Sequence, residues 1–102
     1  MQKLRALLLF AGLLTLSCQT WAAVEVFACE PEWASLAREI GGDEVDVFSA
    51  TTAFQDPHRI QARPSLIARV RRADLLICTG AELEVGWLPM LLRQAGNDKV
   101  QP

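Results

Sequence analysis

The chain holds one histidine, His58, in the tripeptide Asp56-Pro57-His58. A neutral imidazole presents a nitrogen lone pair without a charge to desolvate, which suits it to zinc, manganese or iron near neutral pH. Pro57 restricts the backbone on the amino side of His58 and limits how far the ring wanders. Spacing alone nevertheless reads a lone histidine first as an idle loop residue, because a closed zinc site takes four ligands. Glu30, Asp56, Glu82 and Glu84 are the oxygen donors within reach of the same reasoning. Three of the four have a plainer use. Asp56 suits the cap of the turn at Pro57, and Glu82 and Glu84 suit the start of a helix, where acids oppose the helix dipole.

Of the three cysteines, Cys29 and Cys78 lie beyond the amino-terminal leader described below. In an oxidising compartment they pair; otherwise they are two small buried apolar residues. Neither sits in a motif that would activate a nucleophile. There is no glycine-rich phosphate loop and no Gly-x-Ser-x-Gly elbow, so an enzyme is not expected. A formal net charge of −2 without a basic run speaks against nucleic acid and against an anionic membrane face. Trp33 and Trp87 are expected to fill a core.

The elements that must position these residues follow from periodicity. Lys3 and Arg5, the apolar run Leu7 to Leu16 and the small residues Ala22 and Ala23 form a secretory signal peptide over residues 1–22. Its apolar run is too short for a bilayer core of roughly 30 Å. Lipid attachment at Cys18 is the rival, weakened by Thr15 where a lipobox carries leucine. Val24 to Cys29 reads as a strand, Trp33, Leu36, Ala37 and Ile40 as the apolar face of a helix stopped by Gly41-Gly42, and Val45 to Ser49 as a second strand. A loop from Ala50 leads to His58. Pro64-Ser65 opens a second helix with Leu66, Ile67 and Val70 inward. Asp74 to Cys78 is expected to be a strand buried on both faces. The last helix is expected to begin near Glu84, to carry Trp87, Leu88, Leu91 and Leu92, and to end at Gly96-Asn97. Alternating strands and helices imply an α/β fold, a parallel sheet with flanking helices. Ligands bind outside the carboxyl ends of such strands, so Glu30, Asp56, His58, Glu82 and Glu84 are expected on one rim.

Four features together resemble the metal-specific solute-binding proteins that serve zinc and manganese ABC importers. They are the strand after the leader, the helix ending Ala37-Arg38-Glu39-Ile40-Gly41-Gly42-Asp43, the block Asp56-Pro57-His58 with Pro64-Ser65 beyond it, and Ala73-Asp74-Leu75 running to Gly80 and Leu83-Glu84. Ile60, where that family often has an aromatic residue, and the basic stretch Arg59 to Arg63 depart from the pattern. The resemblance implies the amino-terminal portion of a two-lobed metal-binding protein, with residues 23–102 as an incomplete amino-terminal α/β lobe. It implies His58 as a metal ligand and carries no ligand role onto Glu82 or Glu84. Further ligands would come from elsewhere, since no second histidine is present. The implied function is capture of a divalent transition metal in the periplasm, zinc with manganese as the alternative, for an ABC transporter permease in the inner membrane. The family's fold makes the first and third strands neighbours, so a Cys29–Cys78 disulfide is expected once their Cα atoms lie within ~7 Å. The rival readings are a small secreted structural or interaction module, a non-functional fragment, and more distantly a dithiol oxidoreductase.

Overall fold

The computed structural model describes residues 20–101. All of the expected signal peptide except residues 20–22, Cys18 included, lies outside the described residues.

The apolar, β-branched run after the leader forms β1 (Val24–Ala28), and Val45–Ser49 forms β2. Between them runs α1 (Pro31–Gly41), opened by Pro31 in its first turn and stopped where Gly42 takes a φ of 51°. A 3-10 turn, Gly42–Glu44, leads into β2. The second helix, α2 (Pro64–Arg72), begins at Pro64 and gathers Arg69, Arg71 and Arg72 in its last turn, where cations complement the helix dipole. Leu75–Ile77 forms β3, Leu88–Ala95 forms α3, and a 3-10 turn, Asp98–Val100, closes the described chain.

The three strands form one parallel sheet in the order β2-β1-β3. Successive side chains of β1 point to opposite faces. Phe27 and Cys29 join Leu66, Val70, Trp87, Leu91 and Leu92 in the main core, while Val26 and Ala28 are buried on the other side together with Ala34 of α1. Burying each large apolar side chain stabilises the fold by ~1.5–3 kcal/mol. At the edge of the core Phe27 meets Phe48 with ring centroids 5.7 Å apart, and the Arg69 guanidinium lies 4.7 Å over the Phe48 ring.

Three expectations need correction. β3 is not buried on both faces: Leu75 is exposed, and β3 lies at the edge of the sheet formed by the described residues. The apolar face of α1 is only partly used, because Leu36 and Ile40 are exposed and Ala34 is the buried residue. The last helix starts at Leu88 rather than near Glu84. Residues 81–87 are turns, with Ala81 and Glu82 at positive φ (52° and 70°), a backbone that cannot propagate a right-handed helix. The expected end is met: Gly96 adopts the left-handed conformation and donates its N–H to the Leu92 carbonyl.

Candidate functional site

The order β2-β1-β3 fixes where a site is built. From β1 the chain steps to one side for β2 and then crosses to the other side for β3. The crevice between the carboxyl ends of β1 and β3 is therefore the topological switch point, where open α/β sheets bind ligands.

Two groups of polar residues stand on this edge. The first sits at the crevice itself. Pairing of Ala28 with Ile77 continues by one residue, and the Cys29 N–H donates to the Ile77 carbonyl at 2.8 Å. Cys29 thereby faces Cys78 with 4.8 Å between Cα atoms, the spacing of adjacent strands and within the range a disulfide spans. The two cysteines are joined as a disulfide. Next to it the Thr79 backbone N–H donates to Glu84 Oε1 (2.8 Å) and to Glu30 Oε2 (3.3 Å), and the Gly80 N–H donates to Glu84 Oε2 (3.0 Å). Positive φ at Gly80, Ala81 and Glu82 curls the chain so that these N–H groups converge on the Glu84 carboxylate.

Glu30 and Glu84 are both buried. That corrects the expectation of Glu84 as a solvated acid at a helix start; Glu82 does remain exposed. Burial, and then the adjacent Glu84 carboxyl, push the Glu30 pKa up to about 7. Two carboxylates side by side cannot both stay ionised. Glu30 Oε1 is a buried oxygen with no donor among the described residues. Trp33 completes this group, its indole N–H donating to Thr79 Oγ1 at 2.8 Å.

The second group is Asp56 and His58, on the loop after β2. Asp56 Oδ1 accepts from the His58 backbone N–H at 3.0 Å and lies 2.8 Å from His58 Nδ1. The expected turn cap is present, and the same oxygen also holds the ring. The backbone and ring hydrogen bonds from His58 keep the Asp56 carboxyl below the usual carboxylate range. An ionised carboxylate can only accept, so Nδ1 carries the proton and the neutral ring keeps its lone pair on Nε2. The His58 side chain is 62% exposed.

The two groups are adjacent without merging. Buried Trp87 donates its indole N–H to the Pro57 carbonyl at 2.7 Å, and a Cβ at Gly86 would stand 3.1 Å from the His58 carbonyl oxygen. The start of the 79–87 loop thus holds the Glu84 carboxylate, and its end supports the backbone at Pro57 and His58. A shallow cleft of about 230 Å³ lined by Glu30, Thr51, Gln55, Pro57 and Leu83 separates them. Among the described residues His58 is not one of three converging donors; Cys29, Cys78 and Glu84 are the triplet that converges. The single rim expected from the sequence is two clusters. Missing from the sequence reading were the Thr79 and Gly80 N–H groups, backbone donors that leave no mark in residue type.

Residues 26–102 match the family described as zinc-uptake complex component A, periplasmic. The manganese ABC transporter substrate-binding lipoprotein scaA of Streptococcus gordonii is 30% identical over 98 residues, which cover 87% of this chain and 32% of that protein. The metal ABC transporter substrate-binding lipoprotein SsaB of Streptococcus sanguinis is 28% identical over 79 residues, 74% of this chain and 26% of that protein. A crystal structure of ZnuA superposes with a TM-score of 0.68 at 26% identity, covering 78% of this chain and 31% of that one. The chain therefore spans about a quarter to a third of the length of the relatives it matches. With its parallel sheet, its flanking helices and a match that runs over nearly all the described residues, the chain belongs to the periplasmic zinc-uptake complex component A family, the substrate-binding proteins of metal ABC transporters.

Proposed function

We propose that this chain takes part in capturing a divalent transition metal, zinc, in the periplasm for delivery to the permease of an ABC importer in the inner membrane, and that His58 is one of the metal's ligands. The observation that carries this reading is the Asp56–His58 pair. The carboxylate holds the proton on Nδ1 and leaves the Nε2 lone pair free on a largely exposed side chain. Metal-ligating histidines are held in the same manner, through a hydrogen bond from the second ring nitrogen. No bond is made or broken in such a role, so the protein is a carrier and not an enzyme. Residues 1–22 act as the export signal, and residues 23–102 form part of the first of two lobes. The other ligands come from outside this set of residues, which contains no second histidine.

Zinc is preferred because imidazole suits it better than it suits manganese, a metal that favours carboxylate and carbonyl oxygen. Manganese is the alternative that the name of the Streptococcus gordonii relative supports. Both streptococcal relatives are named as lipoproteins. Attachment of a labelled fatty acid at Cys18, abolished by Cys18→Ala, would replace free periplasmic export with a membrane-anchored form.

The ligand assignment is tested by titrating the oxidised chain with zinc and with manganese, beside His58→Ala. Weak zinc binding that the substitution abolishes is expected. Equal binding by the two chains would discard His58 as a ligand, and stronger binding of manganese than of zinc would overturn the choice of metal.

A further inference from the structure

The switch-point crevice holds chemistry that the His58 reading does not use. Cys29 Sγ, Cys78 Sγ and a Glu84 carboxylate oxygen all lie within 4.8 Å of one another. Ligands of one tetrahedral zinc, at ~2.3 Å for sulfur and ~2.0–2.2 Å for carboxylate oxygen, stand ~3.5 Å apart, so only small side-chain movements separate this arrangement from a coordination shell. Glu84 is already held for such a role: it is buried, and the Thr79 and Gly80 N–H groups orient its two oxygens. Beside it Glu30 is 97% buried, and its Oε1 has no donor among the described residues. A buried acceptor without a donor of its own takes a water or a metal ion as its partner. While the disulfide is closed the sulfurs have no thiolate to offer.

We propose that the Cys29–Cys78 disulfide is the closed form of a second, redox-gated metal site, which reduction opens to bind zinc through Cys29, Cys78 and Glu84, with Glu30 flanking the ion. A dithiol reductant supplies two electrons and two protons, the S–S bond breaks, two thiols form and the reductant leaves as its own disulfide. Zinc then displaces both thiol protons and binds two thiolates and the Glu84 carboxylate. Thiolate ligation favours zinc over manganese, so this site discriminates between the family's two metals more sharply than imidazole and carboxylate do. It is independent of His58, and its failure would leave the ligand role of His58 untouched.

The test uses the 102-residue chain carrying His58→Ala, reduced with a dithiol, freed of reductant without oxygen, and titrated with cobalt(II) as the probe. Expected are one cobalt per chain, a thiolate-to-cobalt charge-transfer band in the near ultraviolet, displacement of cobalt by zinc, and none of these in the oxidised chain. Glu84→Gln in the reduced chain is expected to weaken cobalt binding at least tenfold. Absence of the band after reduction would overturn the proposal, and so would equal uptake by the oxidised chain. Unchanged affinity in Glu84→Gln would overturn it too, because a dithiol in an unfolded chain binds cobalt without regard to residue 84.

Discussion

An imidazole on an open loop has little direction of its own; at His58 direction comes from two hydrogen bonds to one carboxylate oxygen of Asp56. The backbone bond sets the turn, and the ring bond sets the tautomer and the orientation of Nε2. Losing such a partner commonly costs 10–100-fold in metal affinity. Asp56→Ala is therefore expected to weaken zinc binding by about 10-fold or more while leaving the far-ultraviolet circular dichroism unchanged, and affinity equal to that of the parent chain would remove the clamp from the account. The sign of the pH effect follows from the lowered pKa of Asp56. A carboxyl whose folded pKa lies below its unfolded value contributes its hydrogen bonds fully above the unfolded value and loses them as pH falls through the folded one. The clamp consequently persists through neutral and mildly acidic conditions.

Between elements, the Glu30–Glu84 pair ties the end of β1 to the 79–87 loop. Here the linkage runs the other way. The folded pKa of Glu30 is raised from 4.5 to about 7, so the pair's contribution is complete below the unfolded value and is lost as pH rises through about 7. Glu30→Gln keeps an acceptor for Thr79 and gives Glu84 a permanent N–H donor. That variant is expected to be more stable than the parent above pH 7, by about 1–2 kcal/mol in urea denaturation, and no more stable at pH 4. The figure is below the ~3 kcal/mol of the whole shift because the amide of the variant is itself a polar group that costs free energy to bury. A gain that does not depend on pH would show that the carboxyls do not share a proton. Sequence reasoning missed this pair for a definable reason. Helical periodicity points to a helix start near Glu84, whereas positive φ at Gly80, Ala81 and Glu82 bends the chain and turns Glu84 inward.

For the molecule as a whole, the disulfide staples the central strand to an edge strand across a sequence separation of 49 residues. Chain-entropy reasoning assigns a cross-link of that span about 4 kcal/mol. Replacing Cys29 and Cys78 together with alanine should lower the stability by about that amount and the melting temperature by more than ~15 °C. A loss under ~1 kcal/mol would mean that the packing of β1, α2 and α3 holds the sheet without the cross-link.

The sequence by itself determined the three strands, the positions of the helices to within a few residues at most ends, the parallel α/β class and His58 as the residue to test. Those features are local: β-branched runs, 3.6-residue periodicity, Pro31 and Pro64 in first turns, and Gly42 and Gly96 at helix ends. The tertiary structure alone decided that β3 is an edge strand, that Cys29 and Cys78 are bonded, and that Glu84 pairs with Glu30 and not with solvent. Each of these depends on strand order and on backbone conformation far from the residue concerned. Neither quantity is carried by residue type at one position, since both emerge only when distant segments bury their apolar faces together.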